Sequence, residues 1–200
     1  IGLDLIAFPE LALMGYPIED TIDRHPVIVE ENIKWLKGLA KLTKNTIALV
    51  GFVEPRTKSA EGKRYYNSVA ILKNGKIDGI VRKSLLPNYS EFNDYRYIEP
   101  SPVVGVQPAD TLGHFDKDSV KKVSKLYTKY GISICEDCWN NKEFFDKNLY
   151  EKDPIEELAE ESPEIFINCS ASPTRAKKEQ LKHNMLSFVA KKYKTPIVYV

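Results

Sequence analysis

The sequence lacks the features that mark membrane and secreted proteins. No stretch approaches the roughly 20 consecutive apolar residues that a transmembrane helix needs, and no charged start followed by an apolar segment marks a signal peptide. Cysteine is scarce, with three in 200 residues. An odd number in a chain of this size is typical of reduced thiols rather than of a disulfide framework. We therefore expect a cytoplasmic protein that does not enter the membrane.

An excess of charge of one sign is also missing. The 29 Lys and Arg residues against 28 Asp and Glu residues leave a formal net charge of +1, with both signs mixed along the chain. No broad positive surface is therefore predicted for nucleic acid or for an anionic membrane. The three histidines, His25, His114 and His183, do not have the spacing of metal ligands or of a Cys-His pair, and no metal site is predicted.

Internal repeats, low-complexity tracts and glycine- or serine-rich linkers are absent as well. With 42% hydrophobic residues, the chain suffices for a sizeable core, so residues 1–200 are predicted to form one α/β domain. The chain starts at Ile1 almost directly on a strand-like run and closes on another at Val200. Because both ends look cut, we expect a fragment.

Short apolar runs alternate with segments of helical periodicity. Strands are predicted over residues 5–8, 46–53, 67–72, 76–81, 132–134, 165–167 and 196–200, and helices over residues 26–43, 154–161 and 175–193. Asn74-Gly75 is a strong hairpin signal and predicts antiparallel pairing of the strands that flank it. Residues 84–115 contain four prolines and are predicted to be a long loop that frames a pocket. Residues 118–130 favour a helix only slightly over a hairpin arm.

Four side chains with catalytic potential, Glu10, Lys83, Cys135 and Ser172, lie at or just beyond the ends of predicted strands. Such ends converge in open α/β sheets, and ligands bind in the crevice beyond them. A glutamate can accept the proton of a thiol and later activate water, while a lysine can stabilise the thiolate and a developing oxyanion. The combination is typical of amide hydrolysis through a thioester. Taken one at a time, Cys135 could be an ordinary buried core residue, and Glu10 and Lys83 could be ordinary surface charges.

Three segments resemble, in order and spacing, the Glu-Lys-Cys elements of the nitrilase (carbon–nitrogen hydrolase) superfamily. They are Phe8-Pro9-Glu10-Leu11, Arg82-Lys83-Ser84-Leu85-Leu86-Pro87-Asn88-Tyr89 and Ile134-Cys135-Glu136-Asp137. The resemblance implies an αββα sandwich. It also implies that Glu10 is the general base, that Lys83 supports the oxyanion and that Cys135 is the nucleophile.

Within that superfamily, the chain looks like the glutaminase domains of the glutamine-dependent NAD synthetases over almost its whole length. The likeness is carried by residues 10–20, by Pro87-Asn88-Tyr89 and by Ser170-Ala171-Ser172-Pro173. It implies that Tyr89, Ser172 and Lys178 bind L-glutamine. It also implies that this domain itself uses no cofactor.

The same resemblance implies what a complete enzyme would add. The first strand and helix of the superfamily's domain would precede Ile1, and its last part would follow Val200. A C-terminal synthetase domain would then use ATP and Mg²⁺, with the ammonia released from glutamine, to amidate deamido-NAD⁺. Complete sandwiches of this superfamily associate, so a homo-oligomer is expected. Residues 110–129 are longer and more basic than is usual for the family.

Three other interpretations fit parts of the sequence. A relative acting on another small amide would use the same catalytic residues. Cys135-Glu136-Asp137-Cys138 has the Cys-x-x-Cys spacing of redox proteins and of half a zinc site. However, its two carboxylates oppose thiolate formation, and no second cysteine pair completes a zinc set. The third interpretation is a non-catalytic scaffold.

Overall fold

The computed structural model describes residues 2–57, 61–90, 92–109, 129–175 and 178–200. The strands in these ranges are β1 Leu5–Ala7, β2 Ile47–Pro55, β3 Tyr65–Lys73, β4 Lys76–Arg82, β5 Val106–Pro108, β6 Tyr130–Ile134, β7 Ile165–Cys169 and β8 Ile197–Tyr199. The α-helices are α1 Thr21–Arg24, α2 Val27–Ala40, α3 Asp94–Tyr97, α4 Pro154–Glu160 and α5 Lys178–Tyr193. A 3₁₀ turn is formed by Cys135–Cys138. None of the helices in the described ranges has the length and apolar character needed to cross a bilayer.

The strands form two sheets. Strands β1 to β5 lie side by side in chain order, with β1 parallel to β2 and the other neighbours antiparallel. Strands β6, β7 and β8 form a second, parallel sheet. The β3–β4 hairpin turns at Asn74 and Gly75, whose φ angles are 51° and 82°. A type I′ turn needs positive φ at both positions, so the predicted hairpin is confirmed.

The two sheets pack face to face around the main apolar core. Alternate side chains of the core-facing strands point into this core, as the pleat requires. Its buried members are Leu49, Val69, Ile71, Val81, Val106, Ile132, Ile134, Cys135, Ile167 and Cys169. Helix α2 covers the outer face of the first sheet. Helices α4 and α5 cover the outer face of the second sheet, around Phe166. This helix–sheet–sheet–helix order is the predicted αββα sandwich.

The described part of the region predicted as one long loop includes two regular elements. Helix α3 lies within it, and strand β5 pairs with β4 at the edge of the first sheet. Neither was predicted, because α3 has four residues and β5 has three, which is too short for either to show periodicity. Most of the predicted 118–130 element lies outside the described residues. Its last two residues, Lys129 and Tyr130, are described, and Tyr130 opens β6.

Helix α4 begins as the sequence predicted. Asp153 Oδ1 accepts hydrogen bonds from the backbone N–H groups of Ile155 at 3.1 Å and Glu156 at 3.2 Å, and Pro154 occupies the first turn. An aspartate cap and a first-turn proline both favour a helix start. The helix then packs Ile155 and Leu158 against the second sheet.

A close backbone contact holds the turn that follows β1. The Leu13 N–H donates to the Gly51 carbonyl at 3.1 Å. A Cβ atom at position 51 would lie 2.3 Å from the Leu11 nitrogen and 2.5 Å from the Pro9 carbonyl oxygen. Glycine is therefore required for this turn to lie against β2. Leu11 is fully buried, with a left-handed φ of 50°, and it anchors the turn that carries Glu10.

Gly51→Ala should destabilise the protein by about 1–3 kcal/mol, because the added methyl group overlaps backbone atoms of the neighbouring turn. Urea unfolding measures the change. Gly38→Ala is the matched control, since an added Cβ on α2 meets nothing within 4 Å. Alanine there should stabilise by up to about 1 kcal/mol. Equal unfolding midpoints for wild type and Gly51→Ala would show that the turn tolerates the methyl group.

Candidate active site

A buried ion cluster lies where the segments after β1 and β4 meet. Lys83, the residue after β4, donates from Nζ to Glu10 Oε1 and to Asp94 Oδ2, each at 2.7 Å. The side chains of Lys83 and Glu10 are fully buried, and that of Asp94 is nearly so. Glu10 also accepts hydrogen bonds from Asn67 Nδ2 at 2.8 Å and from the Ala171 N–H at 3.1 Å. Because Ala171 follows β7, this network joins the two sheets.

The carboxylates keep Lys83 charged. Burial by itself lowers the pKa of an amine, but Glu10 and Asp94 outweigh it and hold the Lys83 pKa well above its usual value. Tyr16 extends the cluster by donating to Asp94 Oδ1 at 2.9 Å. Burial and the charge of Asp94 raise the Tyr16 pKa, so its hydroxyl keeps its proton. The Lys83 amine therefore stays protonated, and the Tyr16 hydroxyl stays a hydrogen-bond donor.

The predicted nucleophile lies at the end of β6, in the second sheet. Cys135 opens the 3₁₀ turn with a φ of 43°, in the left-handed region that residues other than glycine seldom occupy. Backbone strain of this kind costs about 1–3 kcal/mol and is concentrated at functional sites. The Cys135 carbonyl accepts hydrogen bonds from Cys138 Sγ at 3.2 Å and from Asn168 Nδ2 at 3.3 Å. These contacts hold the turn in its strained form.

Burial and neighbouring charges act on the Cys135 thiol in opposite directions. Burial raises its pKa, Glu10 raises it further, and Lys83 and a hydrogen bond with Ser170 lower it. The net shift is upward, so the thiol is protonated at neutral pH and needs a base before it can attack. Since the charges of Glu10 and Lys83 both act on the sulfur, the structure brings the three predicted catalytic residues to one site. Their catalytic roles stay predictions.

A cavity of about 270 Å³ opens beside the predicted nucleophile. The three residues predicted to bind substrate lie in its wall, with Tyr89 after β4, Ser172 after β7 and Lys178 at the start of α5. Lys178 Nζ lies 5.3 Å from the ring centroid of Phe92 and 5.6 Å from that of Trp139, within cation–π distance. Their substrate-binding roles also stay predictions.

A carboxylate whose role was not predicted also lines this cavity. Glu136, directly after Cys135, accepts hydrogen bonds from the hydroxyls of Tyr89 at 2.8 Å and Tyr150 at 3.1 Å. Burial raises the Glu136 pKa, and the two hydroxyls counter part of that shift. Among the described residues, the cavity wall therefore combines the Glu136 carboxylate with the cationic side chains of Arg175 and Lys178.

Sequence reasoning missed Asp94 and Asn67 as well. Asp94 lies in the segment that was predicted to frame a pocket, and this was the available signal for it. Asn67 lies in β3 with its side chain on the core side. A polar residue on the face of β3 that also carries Val69 and Ile71 was the corresponding signal. Glu136 was considered only as a charge that opposes thiolate formation.

The Cys-x-x-Cys spacing places its two thiols in different surroundings. All three cysteines are free and buried. Cys138 packs beneath α4 and α5, whereas Cys135 and Cys169 belong to the core between the sheets. The two thiols are therefore not joined in a disulfide. In the part of the chain that the structure describes, no three His, Cys, Asp or Glu side chains group as metal ligands would.

Sequence comparison matches most of the chain to one family. A family model described as carbon–nitrogen hydrolase matches residues 1–146. The glutamine-dependent NAD(+) synthetase of Synechocystis sp. is 32% identical over 204 aligned residues, covering 100% of this chain and 33% of that protein. The glutamine-dependent NAD(+) synthetase of Thermotoga maritima is 33% identical, covering 99% of this chain and 29% of that protein. The chain thus spans about a third of the length of these curated relatives.

Solved structures show the same fold. The structure of glutamine-dependent NAD+ synthetase from Acinetobacter baumannii matches with a TM-score of 0.73 at 29% identity, covering 98% of this chain and 31% of that chain. A carbon-nitrogen hydrolase from Helicobacter pylori matches with a TM-score of 0.64 over 98% of this chain and 60% of its own. At 18% identity, this second match supports the fold alone.

Lys83→Met should destabilise the protein by about 3–5 kcal/mol at pH 7, because two buried carboxylates lose the cation between them. Urea unfolding at pH 7 measures this loss.

Lys34→Met is the matched control for that substitution, because Lys34 and its partner Glu31 are largely exposed. Its effect should stay within about 0.5 kcal/mol. A loss in Lys83→Met as small as that of the control would mean that the ion cluster does not contribute to stability.

Proposed function

Because the chain belongs to the carbon–nitrogen hydrolase family, we propose that residues 1–200 form the glutaminase domain of a glutamine-dependent NAD⁺ synthetase. The observation that carries the proposal is the buried contact of Glu10 with Lys83, whose charges both act on the Cys135 thiol. Similarity to synthetases of that name along the whole chain supports it. The domain would cleave the side-chain amide of L-glutamine and release ammonia.

The first half-reaction would form a thioester. Glu10 takes the proton of Cys135 Sγ as the sulfur attacks the amide carbon, which forms a C–S bond and places negative charge on the amide oxygen. The Lys83 ammonium group stabilises this charge. When the tetrahedral intermediate collapses, the C–N bond breaks and Glu10 returns the proton to the leaving nitrogen. Ammonia departs, and the γ-glutamyl group stays on the sulfur.

The second half-reaction would use the same groups on water. Glu10 takes a proton from a water molecule as the water oxygen attacks the thioester carbon. The C–S bond then breaks, and the sulfur leaves as a thiolate beside the Lys83 ammonium group. The thiolate recovers the proton from Glu10, and glutamate departs. Each residue is thus restored for the next turnover.

The wall of the cavity suits an α-amino acid. The Glu136 carboxylate can accept hydrogen bonds from an α-ammonium group, and Lys178 can pair with an α-carboxylate. Tyr89 and Ser172 add hydroxyl groups to the same wall. A volume of about 270 Å³ lies at the small end of ligand cavities in proteins. These properties favour glutamine over a larger amide.

The complete enzyme would be longer than this chain. The curated relatives are about three times as long as the chain, so we propose a C-terminal synthetase domain that receives the ammonia. That domain would use ATP and Mg²⁺ to amidate deamido-NAD⁺, whereas the glutaminase domain would need no cofactor. The complete enzyme would work in the cytoplasm as a homo-oligomer.

In the full-length protein, Cys135→Ala should abolish both ammonia release from glutamine and the mass gain of a trapped acyl-enzyme. Glu10→Gln should lower kcat by about 10²–10⁴-fold, since the thiol loses its base. Lys83→Ala should lower it by at least about 10²-fold, since the oxyanion loses its cation. Cys169→Ala removes a buried thiol outside the cavity wall and should keep near wild-type turnover. Wild-type rates in Glu10→Gln or Lys83→Ala would exclude this mechanism.

Glu136→Gln should raise KM for L-glutamine by about 10–100-fold, because a hydrogen bond to a charged ammonium group contributes about 1.5–3 kcal/mol. Hydrolysis of glutaramic acid, which lacks the α-amino group, should change little. Steady-state kinetics on both compounds measure the difference. Glu143→Gln is the control, since this carboxylate is mostly exposed and pairs with Lys192. A wild-type enzyme that hydrolyses both compounds equally well would indicate another small amide as its substrate.

A further inference from the structure

We propose that Asp137 is a positioning residue that keeps the end of β4, and with it Lys83, in register with the Cys135 turn of the opposite sheet. The inference rests on the function proposed above, because it concerns how the two halves of that site are kept together. Lys83 directly follows β4 of the first sheet, and Cys135 directly follows β6 of the second. Their separation is therefore set by how the two sheets are joined at this point.

Asp137 makes a direct connection between the two sheets. It lies on the 3₁₀ turn and is 3% exposed. Its Oδ1 accepts the backbone N–H groups of Ser84 at 3.0 Å and Leu85 at 2.8 Å. Its Oδ2 accepts the Ile134 N–H at 3.0 Å. One carboxylate thus joins the two residues that follow Lys83 to the strand that ends in the nucleophile.

A directional link matters here because the core between the sheets is apolar. Apolar packing has no preferred direction, whereas hydrogen bonds to an ionised acceptor are short and about twice as strong as neutral ones. Lys83 is already held in the first sheet, since its N–H donates to the Asn67 carbonyl and its carbonyl accepts from the Ser101 N–H, each at 2.9 Å. By binding the backbone of Ser84 and Leu85, Asp137 also fixes this segment relative to the second sheet.

Local capping of the 3₁₀ turn explains only part of this pattern. The bond to Ile134 spans three residues, but those to Ser84 and Leu85 span 53 and 52 residues. Another contact between the sheets, from the Ala171 N–H to Glu10, involves a group that must carry protons in the proposed reaction. Asp137 has no such chemical step to perform, so its three bonds can be permanent.

The test is Asp137→Asn in the full-length protein. The side chain keeps its size, but its NH₂ group must face at least one backbone N–H whichever way the amide is turned, so at least one of the three bonds is lost. A small displacement of Lys83 from the sulfur is enough to lower kcat per active site by about 10²-fold. KM for glutamine should stay within about threefold of the wild-type value. Asp137→Ala should be more severe, since it removes all three bonds.

Labelling with iodoacetamide separates positioning from loss of folding. Peptide mass spectrometry measures the fraction of molecules labelled at Cys135. Cys138 and Cys169 are at most 1% exposed and should be labelled only in unfolded molecules. The rate of Cys135 labelling should fall about tenfold in Asp137→Asn, because Lys83 stabilises the thiolate less well. This rate does not depend on glutamine turnover, so it tests the inference whatever the substrate.

Asp153→Asn is the matched control. Asp153 is also buried and accepts two backbone N–H groups, but it lies outside the cavity wall, so kcat and the Cys135 labelling rate should be unchanged. Wild-type kcat per labelled site together with a wild-type labelling rate in Asp137→Asn would overturn the inference. Equal losses in Asp153→Asn would overturn it too, since they would indicate a general effect on stability. A wild-type protein inactive on glutamine, with slow labelling in Asp137→Asn, would overturn the proposed function alone.

Discussion

The fold depends on burying one ammonium group, that of Lys83, between two carboxylates. A charge in the protein interior is tolerated only when it is paired and hydrogen-bonded, and Lys83 meets Glu10 and Asp94 at 2.7 Å each. The two carboxylates come from the turn after β1 and from α3, far apart along the chain. Any arrangement that separated them from Lys83 would leave a buried charge unpaired, at a cost of about 3–5 kcal/mol. The interaction that closes this end of the sandwich therefore also assembles the candidate site.

Burial determines the chemistry that this site supports. It raises the pKa of Cys135, and the charge of Glu10 raises it further, so the resting state is a thiol and not a thiolate. Such a site suits transfer of the proton to Glu10 as the sulfur attacks, and not storage of a thiolate. In the proposed mechanism Glu10 accepts this proton, and both of its oxygens are held in place, Oε1 by Lys83 and Asn67 and Oε2 by the Ala171 N–H.

The elements that could be predicted from the sequence are those with local causes. Asn74-Gly75 predicted a hairpin because such a turn needs positive φ at two adjacent residues. Asp153 and Pro154 predicted the start of α4 because both act within the first turn of a helix. Helix α3 and strand β5 were missed because each is too short to show periodicity and is held by contacts with other parts of the chain. Strand β5 forms by pairing with β4, and α3 carries Asp94 into the ion cluster.

The sequence by itself determined the chemical groups of the site, since the order and spacing of the segments around Glu10, Lys83 and Cys135 depend only on residue type. The tertiary structure alone decided which contacts the two acidic residues after Cys135 make. Glu136 and Asp137 are alike as sequence letters, but successive side chains of a 3₁₀ turn point about 120° apart. Glu136 therefore lines the cavity, while Asp137 reaches the backbone of the opposite sheet.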